Sequence, residues 1–257
     1  MPVPGALLVP AFLAAAFAPQ APPREMRVAA AADLKFTLEE VAAAFRKAQP
    51  GVGVSITYGS SGNFFAQIEN GAPFDLFLSA DLDDPGKLEA DGLVSGNVFV
   101  YAKGRLALCV PASSPLPVGT EGLKILLAPG LRKIAIANPR HAPYGRAAEE
   151  AMKNAGLLDA VRQRLVLGEN VSQAAQFVQS GVADAGVVAL SLARSPAMAR
   201  ACRCVALPAE AHAPLVQGGA ILKGTHDPEG AKAFRDILLG PVGQAILRRH
   251  GFEPAVP

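Results

Sequence analysis

The chain has 257 residues, of which 51% are hydrophobic and 18% are charged, and its formal net charge at neutral pH is +2. This length accommodates one large domain or two lobes of the usual size, and the balanced charge, with no basic stripe, argues against a nucleic-acid-binding surface. Three cysteines are too few for disulfides to replace core packing in so long a chain.

The first 23 residues differ from the rest because they carry no charge. Residues 6–18 are almost continuously apolar, and 16–18 give the small-x-small pattern that signal peptidase recognises. An apolar run of about 13 residues is too short to span a bilayer. No Lys or Arg precedes this run, unlike in an ordinary signal peptide, so the alternatives are a true start further upstream, a poor signal or an apolar tail. We expect residues 1–23 to be a signal peptide with a Pro-rich spacer, and the protein to be periplasmic or otherwise extracytoplasmic without a lipid anchor.

The next part of the chain alternates strands and helices. Strands are predicted at 26–30, 52–58, within 71–81 and at 97–101, and helices at 34–45, after 63 and at 85–91. Asp33 is predicted to be the N-cap of the first helix. Two consecutive strand-to-helix turns therefore carry polar residues. In an open α/β sheet such turns lie at the carboxyl ends of the strands, where ligands bind.

The second of these turns is Tyr58-Gly59-Ser60-Ser61-Gly62-Asn63. Its glycines permit close backbone approach, Ser60 and Ser61 supply hydroxyl donors, and the following helix begins with unpartnered N–H groups. The pattern favours a cradle for a small oxyanion. The alternative is that Ser61 or Asn63 only caps its own helix.

A Pro-rich break at 111–117 precedes a second alternation. Strands are predicted at 106–111, 133–137, 165–168 and 184–190, and helices at 122–127, 146–154, 174–180 and 197–201. Two more polar turns follow strands here, at Tyr144 and at Val171. The chain ends with a strand at 216–223 and helices at 229–238 and 242–250, each opened by a proline.

This order predicts an α/β protein of two lobes, each a mostly parallel sheet flanked by helices, with a ligand in the cleft between them. We assign residues 24–104 plus 215–257 to lobe I and 105–214 to lobe II. The last two helices are expected to pack on lobe I. The polar turns of both lobes are expected to face one cleft.

The cysteines suggest little chemistry. Cys202 and Cys204 are close enough in sequence to form a strained small ring, and Cys109 in an apolar strand is interpreted as a buried thiol. No histidine lies at zinc spacing from the Cys-x-Cys pair, so no metal site is predicted.

The chain from about 26 to 253 resembles the periplasmic molybdate-binding proteins, the capture components of molybdate ABC importers. The resemblance depends on Ala30-Ala31-Ala32-Asp33-Leu34, Gly59-Ser60-Ser61-Gly62, the stretch 71–81, Asn138-Pro139, Ala142-Pro143-Tyr144-Gly145, Leu239-Gly240-Pro241 and Gly251-Phe252. Of these, 71–81 is the most specific.

The resemblance implies the type II periplasmic binding-protein fold, with molybdate or tungstate held between the lobes by neutral hydrogen bonds. It also implies a monomer that closes about a hinge and delivers the anion to a membrane permease with a separate ATPase subunit. No enzymatic activity, cofactor, nucleic-acid partner or metal other than that in the oxyanion is implied.

Three ligand positions follow by resemblance. Ser61 matches the family's serine ligand in the second turn, with Ser60 beside it, and Val171 matches the residue whose backbone N–H faces the anion. A family tyrosine falls on Ala189 here and is absent. Tyr144 occupies a position where some members have a tyrosine ligand, so the phenol is expected there instead.

Asp33 departs from the family pattern, which has Ser, Thr or Asn as the first-turn ligand. At ~4 Å a pair of unit charges repels by roughly 4 kcal/mol at an effective dielectric of about 20, and a dianion about doubles this. Asp33 can turn away to cap its helix, bind protonated as a donor, or select a different anion. We favour capping, because Asp is a strong N-cap and Lys35 is close by.

Other function classes are less well supported. No His–Asp pair is placed to activate a serine, and no G-x-G-x-x-G follows the first strand, so neither a hydrolase nor a dinucleotide site is predicted. A binding protein for sulfate, phosphate or another oxyanion is the close alternative. A ligand-sensing regulatory domain would carry a helix-turn-helix where this chain has an apolar leader.

Overall fold

The computed structural model describes residues 24–254, so the predicted signal peptide lies outside the described residues. Ten strands form two five-stranded sheets. The strands are β1 (Arg24–Ala31), β2 (Val52–Gly59), β3 (Leu76–Ser79), β4 (Phe99–Gly104), β5 (Leu106–Pro111), β6 (Ile134–Ala137), β7 (Leu165–Gly168), β8 (Ala185–Ala189), β9 (Cys202–Ala206) and β10 (Leu215–Ile221).

Eleven α-helices of the described chain flank these sheets, and several short 3-10 turns join them. The helices are α1 (Lys35–Ala48), α2 (Ser61–Glu69), α3 (Asp83–Ala90), α4 (Val118–Glu121), α5 (Pro143–Asn154), α6 (Leu158–Val161), α7 (Val171–Gln179), α8 (Leu190–Ala193), α9 (Pro196–Ala201), α10 (Pro228–Leu239) and α11 (Pro241–Arg249). The predicted helix at 122–127 is a 3-10 segment that follows α4. No helix of residues 24–254 is both long enough and apolar enough to span a bilayer.

The first sheet has the strand order β2-β1-β3-β10-β4, and we call the part of the molecule built on it lobe I. Strand β1 runs parallel to both β2 and β3, and its register pairs Ala31 with Gly59. This pairing places the turn that carries Asp33 beside the turn that carries Ser60. Strand β10 is antiparallel to β3 and β4, so the chain returns to this sheet after building the other one.

The second sheet has the order β7-β6-β8-β5-β9 and forms lobe II. Strand β6 runs parallel to β7 and β8, and Ala137 pairs with Gly168 at the carboxyl ends. The turns that lead to Tyr144 and Val171 therefore lie side by side. The two-lobed α/β fold expected from the sequence is confirmed.

The cysteine prediction is wrong. Cys109 forms a disulfide with Cys204, and Cys202 is the free, buried thiol. Strand β9, which the sequence did not indicate, pairs with β5 and sets Cys109 opposite Cys204. Within one strand, residues two apart are ~6.6 Å from each other, which is the limit of disulfide reach.

Each lobe has its own packed core. In lobe I, α1, α10 and α11 pack on the sheet, and the rings of Phe45 and Phe234 lie 5.4 Å apart. The predicted packing of the last two helices on lobe I is thereby confirmed. The lobe II core also includes small residues of lobe I, namely Ala31, Ala32 and Ala80, so the two lobes are in contact along the cleft.

Candidate functional site

A small cavity lies between the lobes, where the strand-to-helix turns of both sheets meet. All five residues predicted to bind a ligand are in its wall, which is almost sealed from solvent. The lining residues are Ala31, Ala32, Asp33, Gly59, Ser60, Ser61, Ala80, Ala142, Pro143, Tyr144 and Val171. Within the described residues, the wall contains hydroxyls, helix N-termini and one carboxyl group, but no Lys or Arg.

The lobe I side of the cavity presents two serines with different partners. The Ser61 Oγ accepts a hydrogen bond from the Ala80 N–H at 2.9 Å, which leaves its own hydrogen available to another acceptor. The Ser60 Oγ donates to the His141 carbonyl at 2.5 Å and lies 2.8 Å from the His141 Nδ1. Ser60 occupies the N-cap position of α2 without a capping bond from its side chain. The alternative that Ser61 or Asn63 serves only as a cap is therefore wrong.

The lobe II side presents the first turns of α5 and α7. Asn170 caps α7, and its side chain accepts hydrogen bonds from the N–H groups of Ser172 and Gln173. The Asn170 side chain does not accept a hydrogen bond from the N–H of Val171, the first residue of the helix. Val171 lies at the cavity wall. Tyr144 is the second residue of α5 and follows Pro143, which is pre-organised for a helix start.

The prediction that Asp33 caps α1 is wrong. A 3-10 turn at Ala32–Leu34 precedes the helix, so Leu34 takes the cap position and Asp33 points into the protein. The Asp33 Oδ2 accepts a hydrogen bond from the Gln217 Nε2 at 2.7 Å. The same Nε2 donates to the Tyr144 hydroxyl at 3.2 Å. Asp33, Gln217 and Tyr144 form a buried triad that joins lobe I to lobe II.

The electrostatics of this triad are set by burial. Desolvation raises the pKa of Asp33 from 3.8 to about 6, and hydrogen bonds from Gln217 and Tyr144 offset part of this rise. Burial, with the negative charge of Asp33 beside it, raises the pKa of Tyr144 well above its usual value. The phenol therefore stays protonated and can donate a hydrogen bond.

Several contacts hold the lobes together around the cavity. The Gly62 N–H of lobe I donates to the His141 carbonyl of lobe II at 2.9 Å. The Arg146 guanidinium pairs with Asp81 at 2.6 Å. The Ser191 hydroxyl donates to the Asp33 carbonyl at 2.8 Å. The cleft is thus in a closed arrangement, in which a bound anion would be surrounded on both sides.

Comparisons with known proteins agree with this geometry. Residues 26–253 match the model of the bacterial extracellular solute-binding protein family. The chain is 36% identical over 229 residues to the molybdate-binding protein ModA of Azotobacter vinelandii, covering 89% of each chain. It is 35% identical to the ModA of Rhodobacter capsulatus over 229 residues, which is 89% of this chain and 88% of that one.

The solved structure of the Azotobacter vinelandii periplasmic molybdate-binding protein superposes with a TM-score of 0.81. That match has 38% sequence identity and covers 88% of this chain and 98% of the other. The chain belongs to the molybdate-binding proteins. The family resemblance found in the sequence is confirmed.

Two residues of this family member's site were not identified from the sequence. Gln217 is buried and is the polar residue of an otherwise apolar strand β10. A lone polar side chain within an apolar strand was the sequence feature that could have indicated it. His141 is one of four histidines, none at zinc spacing from the Cys-x-Cys pair, so no local pattern indicates a role for it. Its contact with Ser60 depends on lobe closure between residues 81 positions apart, which no local pattern reports.

Proposed function

We propose that the protein captures molybdate, or tungstate, in the interlobe cavity and delivers it to an ABC import permease. The observation that carries this proposal is the sealed cavity itself. Hydroxyls and helix N-termini from both lobes line it without any cationic side chain, in a chain that belongs to the molybdate-binding proteins.

Neutral donors would hold the anion. Ser61 offers a hydroxyl hydrogen, because its oxygen already accepts from Ala80, and Tyr144 offers a phenol. Val171 offers a backbone N–H that its helix cap leaves free. Each helix N-terminus also contributes the equivalent of roughly half a positive charge. Ser60 serves a different purpose in this account, since its hydroxyl bonds to His141 and helps to close the cleft.

Closure couples capture to delivery. The anion contacts the turns of both lobes, so it stabilises the closed form over an open one. A permease that recognises the closed form would then receive only loaded protein, and ATP hydrolysis would belong to a separate subunit. The expected signal peptide would place the protein outside the cytoplasmic membrane, as for the family of extracellular solute-binding proteins that it matches.

Thermal-shift and calorimetric titrations with molybdate, tungstate, sulfate and phosphate test the proposal. Molybdate and tungstate should raise the melting temperature strongly at concentrations where sulfate and phosphate do not. Ser61→Ala and Tyr144→Phe should each weaken molybdate binding. The exposed Ser180 and the Tyr58 hydroxyl lie outside the cavity, so Ser180→Ala and Tyr58→Phe are matched controls. Equal stabilisation by sulfate would replace molybdate with a general oxyanion as the ligand.

A further inference from the structure

The cavity wall contains an acidic side chain beside the position proposed for a dianion. Asp33 is 1% exposed, and its Oδ2 is bonded to Gln217. Its other oxygen, Oδ1, is buried and has no hydrogen-bond partner among residues 24–254. An unpartnered oxygen on a cavity-lining residue is placed to contact whatever occupies the cavity.

The positive charge available in the cavity cannot balance both a bound dianion and a charged Asp33 carboxylate. Helices α2, α5 and α7 begin at the wall, and each N-terminus is equivalent to roughly half a charge. Together they supply less than the charge of a dianion. No Lys or Arg lines the wall to balance a carboxylate as well. A charged Asp33 would therefore be an uncompensated buried charge.

Within residues 24–254, the elements packed against Asp33 supply no unpaired cation beside it, since on α5 Arg146 is paired with Asp81 and Lys153 lies in the last turn. Helices α7 and α8 carry no ionisable side chain, and on β2 the Tyr58 hydroxyl donates to the Lys35 carbonyl. The Lys35 ammonium lies 5.8 Å from the Phe36 ring centroid and forms no salt bridge with any residue between 24 and 254. Burial raises the pKa of Tyr101 well above its usual value, as it does for Tyr144, so both phenols face Asp33 in neutral form.

We propose that Asp33 takes up one proton from solvent when the oxyanion enters, and that its carboxylic O–H then donates to the anion. The inference rests on the proposed function, since the dianion drives the protonation. One proton is bound and no covalent bond to the anion is formed.

The pKa of Asp33 in the ligand-free site supports protonation of this carboxyl on anion binding. Burial already raises the pKa of Asp33 to about 6 in the closed protein without a ligand. A dianion next to it raises the pKa further, because a like charge disfavours the ionised form. Near pH 7.5 the empty protein therefore holds mainly the carboxylate, and the loaded protein holds the acid.

Calorimetric titration of the full chain with molybdate, in buffers of different ionisation enthalpy, measures the proton count directly. We expect uptake of close to one proton at pH 7.5, and an affinity that falls about tenfold per pH unit above that value. Asp33→Asn keeps a donor group in place, so it should bind molybdate without proton uptake and with an affinity independent of pH. Asp84→Asn, away from the cavity, should behave as the parent does.

Each outcome separates this inference from the proposed function. Molybdate binding without proton uptake in the parent would overturn the inference and leave the function standing. Equal uptake by parent and Asp33→Asn would also overturn it, because the proton would then bind to a group other than Asp33. Absence of any binding heat or thermal shift with molybdate in the parent would overturn the function itself.

Discussion

Replacing Gly62 with alanine should weaken anion binding without weakening the fold. Gly62 lies in the first turn of α2, where it faces lobe II across the closed cleft. A Cβ built there would lie 2.9 Å from the His141 carbonyl oxygen and 3.1 Å from the His141 Cα. Both are main-chain atoms, and the turn that contains them is held by a hydrogen bond from the His141 N–H to Asn138.

The cost should fall on the closed state alone. Overpacking of this kind costs about 1–3 kcal/mol, and opening the cleft relieves it. Because the anion binds the closed state, its dissociation constant should rise by roughly 5-fold to 150-fold. Alanine is a better helix former than glycine by about 1 kcal/mol, so the stability of the ligand-free protein should stay level or rise.

Calorimetry of the Gly62→Ala variant with molybdate, together with urea unfolding of the ligand-free protein, checks both halves of this prediction. The matched control is Gly86→Ala in α3, a helical glycine whose added Cβ would meet nothing within 4 Å. Its affinity should equal that of the parent. Parent-like affinity in Gly62→Ala would refute the inferred interlobe contact.

Three further predictions concern the disulfide and the buried triad. Without reductant, the denatured protein should show one reactive thiol, that of Cys202, and three reactive thiols would contradict the disulfide. The double variant Cys109→Ala/Cys204→Ala should lose about 4–5 kcal/mol in urea unfolding, because the disulfide spans a sequence separation of 95. Asp33 has a pKa raised from 3.8 to about 6, so the stability it contributes is full below pH 3.8 and lost as pH rises through about 6. The advantage of Asp33→Asn in the free energy of unfolding, measured with urea, should therefore grow between pH 4 and 7, to on the order of 3 kcal/mol, and a pH-independent difference would show that this carboxyl is not buried. Gln217→Leu should weaken molybdate binding roughly 10-fold to 100-fold in calorimetry, because it leaves two buried polar groups unpaired, and unchanged binding would exclude Gln217 from the site.

The local parts of the site could be predicted from the sequence. Polar residues that directly follow apolar strands mark the carboxyl edge of a sheet, and parallel pairing brings consecutive turns together, as with Ala31 and Gly59. The sequence thus indicated the turns at Asp33, Ser60, Tyr144 and Val171, and the structure brings them to one cavity. Their roles as ligands stay predictions.

The long-range parts could not be predicted. The direction of the Asp33 side chain depends on a 3-10 turn before α1 and on Gln217, a partner 184 residues away. The disulfide depends on the pairing of β5 with β9, a short strand whose mixed polar and apolar residues give no clear alternation. Spacing alone favoured the wrong pair, because only the sheet register brings Cys109 opposite Cys204.

The most direct test of the central claim is equilibrium dialysis of the purified protein against molybdate in a large excess of sulfate, with bound molybdenum measured by elemental analysis. We expect one molybdate to be retained per chain. The double variant Ser61→Ala/Tyr144→Phe should lose this molybdate. Failure to retain molybdenum, or its displacement by sulfate, would contradict the proposal that this cavity is a molybdate site.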